Sequence, residues 1–118
     1  MLSVTASGQS PQGRAHNKIA QFAASRLRGD ARVAAFSLGG WDTHRRQDRA
    51  LPRSLTALAD TLLTLKSGLG SVWDRTAVVW VTEFGRTAQE NGNCGTDHGT
   101  AGLMIMAGGA VRGGRVYG

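Results

Sequence analysis

Apolar side chains recur at helical spacing in two segments of the chain. The first segment predicts a helix that Asn17 can cap and that ends near Arg28. Its apolar stripe is Ile19, Ala20, Ala23, Ala24 and Leu27. The second predicts a helix of about five turns, with Pro52 in its first turn and an end near Gly68 or Gly70. Its stripe is Leu55, Leu58, Leu62, Leu65 and Leu69, and we expect both stripes to face a core.

Three short apolar runs, over residues 31–38, 76–82 and 103–107, predict strands. The near-continuous apolarity of the first run is typical of a central strand covered on both faces. Strands that alternate with helices predict an α/β fold with a parallel sheet, here of about three strands with flanking helices. The open edge of so small a sheet predicts self-association, or pairing with an N-terminal part that this chain lacks. Residues 1–16 are predicted to be a flexible lead-in, 17–118 the domain, and 88–99 a long loop.

Composition narrows the range of partners. The 118 residues carry a net charge of +6 and a single cysteine, Cys94, so no intramolecular disulfide can form. The basic residues are scattered and not interleaved with aromatic ones, which predicts a solvated basic surface and no specific nucleic-acid binding, while an anionic small-molecule substrate remains compatible. No apolar run is long enough for a membrane span. The N-terminus has no signal-peptide pattern, which predicts a cytoplasmic protein if the sequence is complete.

Polar residues that could bind a metal lie near the ends of the predicted strands. Asp42 and His44 follow the first strand two positions apart, so in an extended segment both point to the same side. Glu83 follows the second strand, and the adjacent pair Asp97 and His98 precedes the third. Carboxylate and imidazole ligands together suit zinc, manganese or iron. These five residues are therefore the predicted metal ligands.

Thr43 and Arg86 are predicted to support this site or to contact a substrate. Each Asp–His pair also fits a purely structural hydrogen bond, and Glu83 with Arg86 fits a local ion pair, so both interpretations stay open. No serine lies in the context of a nucleophile elbow, and the sequence therefore identifies no catalytic nucleophile.

Four motifs in order resemble the C-terminal part of DUF1501, a sulfatase-like family of unknown function that is placed with the alkaline phosphatase superfamily. They are FSLGGWDTHRRQ at 36–47, TEFGRT at 82–87 with Asn91, GTDHG at 95–99 and GGAVRGG at 108–114. The resemblance implies a parallel-sheet fold of the alkaline phosphatase type and a divalent metal, zinc or manganese. It also implies hydrolysis of phosphate or sulfate esters. Full-length relatives would be exported or periplasmic, and this chain would be a fragment without the nucleophile, inactive alone.

The resemblance also assigns ligands, in two possible alignments. Asp42 and His44 resemble the Asp–His pair that holds one metal. In one alignment Asp97 and His98 are the superfamily's adjacent pair. In the other, which we favour, Glu83 replaces that pair's aspartate, Phe84 replaces its histidine, and His98 is the later lone histidine. Phe84 in a ligand position suggests the alternative function, a structural or binding domain that keeps the fold without the chemistry.

Overall fold

The computed structural model describes residues 2–4 and 12–118 of the chain. In chain order, its elements are β1 (Leu2–Val4), α1 (Gln12–Arg28), β2 (Ala34–Phe36), α2 (Gln47–Leu69), a 3-10 helix (Gly70–Arg75), β3 (Val78–Val81), β4 (Gly85–Glu90), β5 (Thr96–Gly99) and β6 (Met104–Ala107). The predicted lead-in falls partly on residues 1 and 5–11, which lie outside the described residues. Within it, residues 2–4 form β1 and residues 12–16 begin α1.

The two predicted helices are confirmed, and their apolar stripes meet in the core. The buried cluster consists of Ala20, Ala23 and Ala24 from α1 with Leu65 and Leu69 from α2. Small residues on α1 let the two helices approach closely, and a Cβ added at Gly68 would lie 2.8 Å from the Cβ of Ala24. Leu55, at the far end of the predicted stripe, remains 49% exposed. The core therefore occupies one end of α2.

Helix α2 begins five residues before Pro52, earlier than the sequence predicts. Its N-cap residue Arg46 has a left-handed backbone, with φ 48°, and makes no side-chain cap. The backbone N–H groups of Arg46 and Gln47 instead donate to the carbonyls of Asn93 and Cys94, at 3.0 and 2.8 Å. Donors at a helix start need such partners. Because these partners lie more than forty residues away in sequence, no N-capping residue next to Gln47 could have indicated where the helix begins.

The predicted parallel-sheet, alkaline-phosphatase-type fold is wrong. β3 pairs with β6 antiparallel, with Val78 opposite Ala107 and Val81 opposite Met104. β4 and β5 form a second antiparallel pair, and β2 pairs in parallel with β1 alone. The described strands thus make three two-stranded sheets in a small α/β domain. Parallel neighbours need a long crossover, usually a helix, whereas the chain between β3 and β6 returns through the β4–β5 hairpin.

That hairpin also replaces the long loop predicted over 88–99. Strand β2 is not covered on both faces as predicted, since Ala35 is exposed between the half-buried Ala34 and Phe36. In the apolar strands β3 and β6, Val79, Val81, Met104 and Met106 are each at least half exposed. Among the described residues, no helix is long and apolar enough to cross a membrane.

Candidate metal centre

The turn of the β4–β5 hairpin is bound to the segment that links Thr43 to the start of α2. Besides the two hydrogen bonds that cap α2, the N–H of Thr96 donates to the carbonyl of Thr43 at 3.2 Å. Gly95 is buried in this contact, and a Cβ there would overlap the backbone of Thr43 and His44. A glycine is therefore required, because any side chain would push the hairpin away from the segment that carries Asp42 and His44.

Docking of the hairpin gathers two histidines around Asp42. Nε2 of His98 and Nε2 of His44 each lie 2.8 Å from Oδ1 of Asp42. The two imidazole rings are 4.9 Å apart between centroids, and Phe84 stacks on His98 at 4.3 Å. The side chains of all three polar residues are between 41% and 56% exposed, so the cluster opens to solvent.

Arg86 fixes this cluster from the side. Its Nη1 donates to Oδ1 of Asp42 at 2.9 Å, its Nη2 to the Thr43 hydroxyl at 3.2 Å, and its Nε to the Thr96 hydroxyl at 3.0 Å. Both hydroxyls in turn donate to Oε1 of Gln47 at 2.8 Å. The guanidinium is thus oriented by groups from three segments, and Arg86 pairs with Asp42 rather than with Glu83, as a local ion pair would require.

Asp97 binds the opposite side of the His44 ring. Its Oδ1 lies 2.9 Å from Nδ1 of His44. The side-chain amide of Asn91 donates to the same oxygen at 2.9 Å and to the carbonyl of His44, also at 2.9 Å. Oδ1 of Asn91 accepts from the backbone N–H groups of Asn93 and Gly95. Asn91 therefore joins the hairpin turn to both His44 and its carboxylate.

The electrostatics follow from these contacts. The hydrogen bond from His98 lowers the pKa of Asp42 below its ordinary value, and the charge of His44 and the hydrogen bond from Arg86 act in the same direction. Partial desolvation opposes them. The hydrogen bond from His44, followed by that from Asn91, likewise lowers the pKa of Asp97. Both carboxylates are therefore ionised at neutral pH.

One carboxylate and two imidazoles form a ligand set that suits a transition metal. A ligand atom from each of Asp42, His44 and His98 lies within 4.8 Å of the others. Ligand atoms around tetrahedral zinc lie about 3.3 Å apart, so the two histidine nitrogens, each at a hydrogen-bond distance of 2.8 Å from Asp42, need to move out only slightly to admit an ion. Three protein ligands leave a coordination position open, as in catalytic zinc sites. The residues present therefore fit a divalent metal.

The other two predicted ligands lie elsewhere. Glu83 is exposed in the bend between β3 and β4 and is outside this group of three. Asp97 contacts the ring of His44, and it too is outside the group. Sequence reasoning gave no role to Gln47, Asn91 or Thr96. All three stood within the quoted motifs, but residues of these types are common at helix starts and turns, and the sequence did not show their tertiary partners.

The chain belongs to the family described as "Protein of unknown function (DUF1501)", whose model matches residues 5–118. This membership confirms the family that the four motifs indicated. No curated protein and no solved structure matches the chain.

Proposed function

We propose that Asp42, His44 and His98 bind a divalent metal, zinc or manganese, and that the centre belongs to a metal-dependent hydrolase of phosphate or sulfate esters. The convergence of these three ligand atoms within 4.8 Å carries the proposal. They come from the loop after β2 and from strand β5, which are more than fifty residues apart in sequence, and the contact between the β4–β5 hairpin and the start of α2 brings them together. The four motifs that resemble sulfatase-like proteins of the alkaline phosphatase superfamily support the choice of chemistry.

Each residue then has a defined task. Asp42 supplies an ionised oxygen, and the two histidines supply Nε2 atoms at its side. A divalent metal at such a site polarises an ester oxygen and acidifies a bound water. Arg86 holds Asp42 in place and adds positive charge beside the ligands. The exposed Arg45, next to His44 in sequence, adds a second positive charge. This charge favours an anionic substrate.

One observation favours a second function, that of a structural or binding domain without chemistry. The Nη1 of Arg86 already donates to the oxygen of Asp42 that both histidines approach. The network around Asp42 is therefore satisfied by protein groups, and it can hold the two loops together without an ion. In this case the cluster contributes to folding and to nothing else.

Metal titration of the purified chain separates the two functions. We expect zinc and manganese to bind with one-to-one stoichiometry by calorimetry, and Asp42→Ala and His98→Ala to lose this binding. Asp74→Ala, an exposed carboxylate outside the cluster, is the control and should bind like the parent.

Two results would contradict the proposal. One is the absence of stoichiometric metal binding, and the other is equal binding by Asp42→Ala and the parent. Loss of stability without any metal binding would instead support the structural alternative. The sequence identifies no nucleophile in this chain, so the hydrolase assignment is tested separately by turnover of nitrophenyl phosphate and sulfate by a metal-loaded relative that carries one, with alanine at the positions of Asp42 and His98 as the control.

A further inference from the structure

Asp97 is not one of the three proposed metal ligands, and its carboxylate contacts one of them, the ring of His44. The hydrogen bond of the His44 ring is made by Nδ1 with Oδ1 of Asp97, while Nε2 is the nitrogen directed towards Asp42. An imidazole that donates from one nitrogen has its ring orientation and its proton fixed at that atom. A carboxylate on Nδ1 therefore keeps a proton at that nitrogen, and Nε2, which lies 2.8 Å from Oδ1 of Asp42, is the nitrogen that a metal would occupy by displacing the proton between it and that carboxylate.

Asn91 holds that carboxylate in position. Its amide group donates both to Oδ1 of Asp97 and to the carbonyl of His44, so a single side chain sets the distance between the two residues. The oxygen of the same amide accepts from the N–H groups of Asn93 and Gly95, which fixes the amide orientation. Every polar group of the Asn91 side chain is therefore used in this arrangement.

We propose that Asp97 and Asn91 are positioning residues for His44, which fix its ring so that Nε2 faces Asp42 and His98. This assigns Asp97 a role other than that of a metal ligand. Its consequence for metal affinity rests on the proposed function, but the orientation of the ring can be tested without metal. Partners of this kind typically contribute about 10- to 100-fold to metal affinity.

Proton NMR of the metal-free, ¹⁵N-labelled chain tests the orientation directly. We expect a hydrogen-bonded Nδ1–H resonance from His44 that exchanges slowly with water. Asp97→Ala should lose it, whereas Asp97→Asn should keep it, because an amide oxygen still accepts from Nδ1–H. Asn91→Asp keeps the oxygen that binds the turn and removes the amide donors, so it should weaken the resonance. Glu90→Ala removes the same charge from an exposed position of this hairpin and should resemble the parent.

Metal titration of the same variants tests the consequence. We expect Asp97→Ala to bind zinc about 10- to 100-fold more weakly than the parent, and Asp97→Asn to lose about tenfold or less. A parent without the Nδ1–H resonance, or an Asp97→Ala variant that retains it, would overturn the inference. So would an Asp97→Asn variant that keeps the resonance but loses metal as fully as Asp97→Ala, because Asp97 would then be a ligand. If the parent binds no metal, the proposed function fails, while the resonance still decides the position of the ring.

Discussion

The helical pair and the candidate metal centre of this chain are held together by different forces. Between α1 and α2, the buried cluster of alanines and leucines depends on the removal of apolar surface from water, and only two polar contacts between the helices, Thr64 with Asn17 and His16 with Asp60, are seen among the described residues. At the centre, Asp42 and both histidines are about half exposed, and directional hydrogen bonds from Arg86 and Asn91 fix their positions. Apolar packing thus supplies stability, and the polar network supplies geometry.

Seryl and threonyl hydroxyls link the two regions. Ser54, which is buried on α2, donates to the carbonyl of Gly40 at 2.8 Å, just before Asp42. Gln47 at the start of the same helix binds the hydroxyls of Thr43 and Thr96. Helix α2 therefore belongs to both regions: its C-terminal half packs on α1, and its N-terminal half supports the centre. Changes in one half should separate stability from site geometry.

The largest expected effect comes from the apolar region. Leu69 is 1% exposed, and Leu69→Ala should lower the free energy of unfolding by about 2–5 kcal/mol, since it removes buried methyl groups and leaves a cavity. Urea denaturation measures this change. The matched control on the same helix is Leu63→Ala, whose side chain is 65% exposed. Equal losses in the two variants would show that the helical pair is not the source of stability.

A smaller loss of stability, with a larger effect on the site, is expected from Gly95→Ala. The added Cβ would overlap the backbone of Thr43 and His44, so the hairpin must move away. Overpacking of this kind costs about 1–3 kcal/mol, and metal binding should fall by more than tenfold because His98 moves with the hairpin. Gly92→Ala is the control from the same turn, since its added Cβ meets no atom within 4 Å. If Gly95→Ala bound metal as tightly as the parent, the docking of the hairpin would not be what positions His98 beside Asp42.

Arg86→Lys should affect the polar region by a similar or smaller amount. Lysine cannot reproduce the planar set of donors that reaches Asp42, Thr43 and Thr96 together. We expect a loss of about 0.5–1.5 kcal/mol in urea denaturation, typical of a net hydrogen bond such as those of Arg86 to the part-buried Thr43 and Thr96, because the ion pair with the exposed Asp42 is screened by solvent. Arg45→Lys, at an exposed neighbouring position, should change little. If Arg86→Lys resembles Arg45→Lys, the network does not hold Asp42.

The smallest effect is expected from acid. The pKa values of Asp42 and Asp97 are lowered from 3.8 in the folded protein, chiefly by hydrogen bonds from His98 and His44 respectively. Folding is therefore favoured by the ionised forms. Their contribution is complete above the ordinary pKa and is lost as the pH falls through the lowered folded values. Asp42→Asn combined with Asp97→Asn should flatten the acid side of a plot of stability against pH. An unchanged slope in this double variant would place the acid sensitivity elsewhere.

The helices were predictable because their signal is local. Spacing of three and four residues identified α1 and α2 and the leucines that enter the core, including Leu65 and Leu69. The apolar strands β2, β3 and β6 were located for the same reason, within a few residues, whereas β1 and the polar strands β4 and β5 were missed. The direction of pairing was not predictable, because side-chain pattern does not specify which backbone groups bond across to a distant strand. The inference from the alternation of strands and helices to a parallel sheet therefore failed.

Candidate chemistry shows the same division. The sequence by itself identified Asp42, His44 and His98 as metal-capable residues, because residue type and spacing carry that information. Only the tertiary structure showed which residues contact them. Asp97 binds Nδ1 of His44, Arg86 binds Asp42, and Glu83 lies outside the cluster. These roles depend on the docking of the β4–β5 hairpin against the start of α2. That contact joins residues some fifty positions apart through hydrogen bonds between backbone groups. Because every residue type carries these groups, no sequence pattern predicts the contact.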